Sequence, residues 1–222
     1  MNIRKRLSKM SGMSFLNALR LHKDSIFMYK NKSFPTAFQL SIIAQEEIGK
    51  SNLLEDVVFQ MFDNPKGINP EYEKMIVDLL YSHKDKQIRF SSKVEDEFTK
   101  RYFKIAENIN SGKYDEKKQN ATYVGLTKKQ GKKRLNGKIL NPIMSIKGVD
   151  AAVMITKVND YVIELIEGVR RGIYSVDTEE LDESLTLEAA QELESLWPNK
   201  SISSIKRLKK IREFDIDPDS TY

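Results

Sequence analysis

The chain has no cysteine, which removes disulfide frameworks, thiolate zinc sites and cysteine nucleophiles together. No apolar run comes near the roughly 20 residues that a membrane span requires. The opening stretch, Met1 to Met10, is basic and lacks the apolar core of a signal peptide. The expected compartment is therefore the cytoplasm, with no membrane partner. Also missing are His-Glu-x-x-His, Glu-x-x-His, Walker-type and Gly-x-Ser-x-Gly motifs, so zinc hydrolase, di-iron bundle, P-loop and serine hydrolase readings lose their anchor residues. Nothing in the pattern asks for a metal or any other cofactor. No internal repeat or low-complexity tract points to an array.

What is present is 222 residues, enough for one sizeable core with appendages. Charged residues make up 31% of the chain and the net charge is +5, which favours solubility and permits an anionic partner without demanding one. The distribution is uneven. Between Ser111 and Leu140 the bases Lys113, Lys117, Lys118, Lys128, Lys129, Lys132, Lys133, Arg134 and Lys138 face only Asp115 and Glu116. From Tyr174 to Asn199 eight acids occur with no Lys or Arg. These two regions could attract each other within the molecule or across a dimer, or recruit partners.

Hydrophobic periodicity predicts an all-α protein. A first helix over 14–31 repeats Phe15, Leu19, Ile26 and Tyr29 at helical spacing. After Pro35 a longer helix runs to about Phe62 with Leu40, Ile43, Ala44, Leu54, Val58 and Met61 on one face. The two form an antiparallel hairpin. Turn residues at 63–70 interrupt the chain. Helix resumes near Glu71, breaks at 81–85 and continues to the stop signal Asn110-Ser111-Gly112. Residues 113–142 show no sustained helical period and read as a long basic loop containing a short extended piece at 121–126. Further helices are expected over 145–172 and 178–197, then a basic, partly amphipathic tail. The expected organisation is a basic N-terminal tail (1–12), an antiparallel helical bundle (13–173) with its loop at 113–143, and a C-terminal acidic helix with a basic or flexible tail (174–222).

Polar residues stand where apolar ones belong. At 100° per residue, Glu47 falls inside the apolar stripe of the second helix, with Lys50 on its shoulder and Glu46 further round. A carboxylate there needs a partner. His22 falls between Leu19 and Ile26 and could bond Glu47, either as a structural core hydrogen bond or as part of a functional site. His83 precedes Lys86 by three residues, so both face one way on a continuous helix. Imidazole beside a cation suits attack of a ribose 2′-hydroxyl on its own phosphodiester, although such a pair also decorates solvated helix ends.

The run Ala44-Gln45-Glu46-Glu47-Ile48-Gly49-Lys50, followed by Ser82-His83-Lys84-Asp85-Lys86-Gln87 and Lys118-Gln119-Asn120-Ala121-Thr122-Tyr123-Val124, resembles the AbiV-type abortive infection family of the HEPN superfamily. The resemblance implies a helical, commonly homodimeric bundle that defends bacteria against phage by arresting the infected cell, through RNA or the translation machinery. Many HEPN toxins are metal-independent ribonucleases with an Arg-x(4–6)-His motif. Neither histidine here has an arginine at that spacing. Activity would then rest on His83, Lys86, Glu46, Glu47 and Lys50, with Lys128, Lys129, Lys132, Lys133, Arg134 and Lys138 gripping RNA phosphates. The alternative is a non-enzymatic module, activated by a phage or host protein, that blocks translation by binding.

Overall fold

The computed structural model of the chain describes residues 3–63, 69–94, 100–129, 132–133 and 135–213. Helix α1 (Ile3–Lys30) and helix α2 (Phe34–Asp63) form the antiparallel hairpin. The turn between them places Lys32 at φ 61°, a left-handed conformation that a non-glycine residue adopts only where the turn requires it. The hairpin can close tightly because small residues face each other. Ser11 Oγ lies 2.9 Å from Ser51 Oγ, and Ser51 Oγ donates to the Ser11 carbonyl at 3.1 Å.

The segment expected as a basic tail is helical from Ile3 and packed from Leu7. Its buried residues Ser8, Ser11 and Gly12 make no apolar stripe, so periodicity could not reveal it. A Cβ on Gly12 would lie 2.7 Å from the Glu180 carbonyl oxygen, which shows how closely the C-terminal segment approaches there.

Helix α3 (Pro70–Tyr81) starts on the Asn69 cap, whose side chain accepts from the Tyr72 amide at 2.7 Å. Ser82 ends it, and helix α4 (His83–Val94) follows at once. Helix α5 (Lys100–Asn110) stops at Gly112, φ 75°. The region read as a loop then opens with another helix, α6 (Lys113–Thr122). Only beyond it does extended chain begin, with β1 (Gly125–Leu126) paired antiparallel to β4 (Ile139–Leu140) and β2 (Lys128–Lys129) to β3 (Lys132–Lys133). Helix α7 (Pro142–Ser145) leads into helix α8 (Gly148–Arg170).

Helix α8 lies against both α1 and α2. It buries Ile155, Val158, Val162 and Ile166, while Val149 and Val153 are exposed. The expected acidic helix is two helices, α9 (Glu179–Ser184) and α10 (Leu187–Leu196), separated at Leu185. Helix α9 packs on α1, and both α10 and α11 (Ile202–Arg212) pack on α8. Leu193, Leu208 and Leu181 join Phe15, Ile48, Phe90 and Val162 in one cluster, so the C-terminal segment is part of the core.

Candidate functional site

Helix α2 is enclosed on several sides, by α1 and α8 and also by α4 and α6. A single stripe cannot describe such a helix, and of the adjacent pair the inward carboxylate is Glu46; Glu47 is only half-buried. Helix α4 reaches α2 by crossing at Gly49, where a Cβ would lie 2.0 Å from the Lys86 carbonyl oxygen. Only a hydrogen fits at that crossing. The close approach lays the start of α4 across the carboxylate.

His83 Nδ1 lies 2.8 Å from Glu46 Oε2, and Gln87 Nε2 donates to Oε1 at 2.7 Å. The two donors stand four residues apart and so share one face of α4. Lys118 Nζ, from α6, completes the group with a 2.8 Å bond to Oε1. Burial alone would raise the Glu46 carboxyl. The hydrogen bond and charge of Lys118, with the bonds from Gln87 and His83, outweigh it and hold the group below its ordinary value.

An ionised Glu46 only accepts, so His83 Nδ1 carries a proton toward it. In the neutral imidazole Nε2 then presents a lone pair. The His83 side chain is 58% exposed, and its Nε2 has no hydrogen-bond partner among the described residues. An inner nitrogen fixed by a carboxylate and an outer one open to solvent is the arrangement of a general acid or base.

The other expected residues are placed differently. Lys86 is buried and makes no bond to Glu46; the lysine bonded to that carboxylate is Lys118. Lys50 is half-buried on the turn after Glu46. Glu47 turns toward α1 and accepts from Asn17 Nδ2 at 3.3 Å. The expected bond between His22 and Glu47 is absent. His22 is fully buried, and its Nε2 lies 3.0 Å from Asn159 Oδ1 on α8. Asn159 Nδ2 donates to the Trp197 carbonyl at 3.1 Å, which orients the amide and makes His22 Nε2 the donor. Burial lowers the His22 imidazole to about 4, against a smaller opposing effect of the Asn159 bond.

Among the loop bases, Arg134 and the side chains of Lys128, Lys129, Lys132 and Lys133 lie outside the described residues. Lys138 is exposed beside β4. Sequence reasoning missed Gln87 and Lys118 as site residues. Both stood inside the resembling segments, and Gln87 was detectable four residues after His83. Among the described residues no three His, Asp or Glu side chains converge as a metal centre would require.

A family model described as AbiV (HEPN_AbiV) matches residues 7–162, which is more than half of the chain and includes Glu46, His83, Gln87 and Lys118. No curated protein and no solved structure matches the sequence.

Proposed function

Because the chain belongs to the AbiV family of HEPN proteins, a family of abortive infection and anti-phage defence, we propose that it arrests the infected cell by cutting RNA, with His83 as the proton-transfer group. The observation that carries this reading is the solvent-facing imidazole whose inner nitrogen is held by the buried Glu46. In the reaction, His83 Nε2 takes the proton of a ribose 2′-hydroxyl and the oxygen attacks the adjacent phosphorus. The P–O5′ bond breaks, the leaving 5′-oxygen takes a proton from water and His83 returns its own to solvent, so the products end in a 2′,3′-cyclic phosphate and a 5′-hydroxyl. Glu46 orients the ring through Nδ1, so that Nε2 faces the substrate. Lys86, three residues along α4, and Lys50 bring positive charge to the developing anion. A homodimer is the expected active form, released by a phage or host protein.

Purified protein incubated with total RNA in a chelator should produce fragments with cyclic phosphate ends. His83→Ala should lower the rate by roughly 10²–10⁴-fold with the circular dichroism spectrum retained. Glu46→Gln, which keeps the shape and removes the charge, should lower it less.

A second reading is favoured by two observations: both Glu46 oxygens are occupied by three donors, as a structural network requires, and no arginine stands at the family's usual spacing before either histidine. On that reading the protein blocks the translation machinery by occupancy. Arrest of a translating extract with intact RNA, indifferent to His83→Ala, would establish it and end the ribonuclease proposal.

A further inference from the structure

A groove of about 370 Å³ lies between α6 and α8, two turns along α2 from the Glu46 network. It falls within the range of sites that hold small ligands. Phe38, Val149, Val153 and the half-buried Tyr114 line it. Val149 is 68% exposed and Val153 49%, so this apolar surface faces solvent at the first turns of a long helix. Phe38 and Glu46 stand eight residues apart on one helix, a separation of about 12 Å.

The rim is basic. Lys113, Lys117 and Lys157 line the groove. Lys117 is neutralised by Asp150 at 2.6 Å, but Lys113 Nζ donates to the neutral Asn108 amide at 3.2 Å. Nearby, Lys84 Nζ donates to the Asn110 carbonyl at 3.2 Å. Those two charges meet uncharged acceptors.

The acidic segment of a second copy is the weaker candidate, because four of its eight carboxylates, Glu180, Asp182, Glu192 and Glu194, are already bonded within the chain. Glu192 pairs with Lys23, Asp182 with Arg170, and Glu194 with both Lys200 and Arg212. An external polyanion with flat apolar units fits the groove better.

We propose that the groove between α6 and α8 is a nucleobase subsite for single-stranded RNA, with Tyr114, Val149 and Val153 contacting the base and the Lys113 rim meeting the flanking phosphate. The proposal rests on the reading of the chain as an RNA-directed protein. It adds where the strand lies when a phosphodiester reaches His83, and it commits the RNA to α6 and α8 in addition to the basic hairpin beyond them.

The test is fluorescence anisotropy of a labelled oligouridine with the full-length protein carrying His83→Ala, so that the probe stays intact. Tyr114→Leu and Val153→Asp should each weaken binding by at least about fivefold, the low end of what loss of one stacked base costs. Lys113→Gln should reduce the slope of log affinity against log salt by about 0.7, one phosphate contact on a single strand. Leu187→Asp, on the exposed side of α10, should change neither. Unchanged affinity and slope in all three groove variants, with melting temperatures kept, would overturn the proposal. So would unchanged RNA binding together with conversion of a dimer to a monomer by Val153→Asp, since the groove would then be a contact between copies. If RNA is cut normally by these groove variants in the His83 background restored to wild type, the subsite fails while the ribonuclease reading stands. If groove variants weaken binding but no RNA is ever cut, the reverse holds.

Discussion

His22 is wholly buried between α1 and α8 and donates its Nε2–H to Asn159 Oδ1. Burial sets its folded value at about 4 against an ordinary 6.5. A base depressed in this way binds its proton more weakly when folded than when unfolded. The stability it permits is complete above the unfolded value and is lost as pH falls from 6.5 through about 4. The full difference corresponds to about 3 kcal/mol, and about 2 kcal/mol is already lost at pH 5. Glu46, Asp150 and Glu194 are carboxyls held low, each against the opposing effect of burial. Their contributions are lost as pH falls through their lowered folded values, further toward acid. Urea denaturation at pH 7 and pH 5 should therefore show wild type losing about 2 kcal/mol more than His22→Gln over that interval. Equal losses in the two proteins would mean that His22 is not held neutral. The two histidines thus divide by depth: His22 fixes α1 to α8, and His83 keeps one nitrogen for solvent.

At the scale of elements, the crossing of α2 and α4 decides whether a site exists. Gly49→Ala would push a methyl against the Lys86 carbonyl, and backbone cannot swing aside as a long side chain can. Separation of the two helices by an ångström or more should cost about 1–3 kcal/mol and lengthen the bonds from His83 and Gln87 to Glu46. Thermal melting should show the destabilisation. Activity should fall further than the folded fraction does, measured where the variant remains folded. Retained activity with only a lowered melting temperature would separate the crossing from the function.

The glycine and the two acids were visible in the sequence, and so was the hairpin, because a long apolar helix declares itself by period. The choice between Glu46 and Glu47 was not visible. It depends on α4 and α6 covering the flank of α2 away from the main stripe. Helix α6 escaped notice for the same reason as the first turns of α1: its buried contribution is one alanine, Ala121, amid polar residues, and it is held by neighbours instead of an apolar face. Lys118 was lost with it. His83 was singled out for its neighbour Lys86, whereas its structural partner comes from another helix 37 residues earlier.

At the scale of the molecule, the family match ends at residue 162 but the core does not. Leu181, Leu185, Leu193, Trp197 and Leu208 are buried against α1 and α8. Glu55 on α2 binds the entry to α9, accepting from the Asp177 amide at 2.7 Å and from Thr178 Oγ1 at 2.5 Å, while Ser11 Oγ donates to it at 2.8 Å. Burial raises this carboxyl, and Thr178, Ser11 and the Asp177 amide offset part of the effect. Arg212 reaches back to both Glu167 and Glu194. Five large apolar side chains at roughly 1.5–3 kcal/mol each amount to about 10 kcal/mol of burial, the size of a domain's whole stability. Removal of residues 174–222 would also uncover the matching faces of α1 and α8. The shortened chain should therefore lose cooperative unfolding and near-ultraviolet dichroism while keeping helical far-ultraviolet signal, with rapid cleavage by protease. A soluble 1–173 fragment with a sharp melting transition would show that the bundle matched by the family is self-sufficient, and that the later helices lean on the core without completing it.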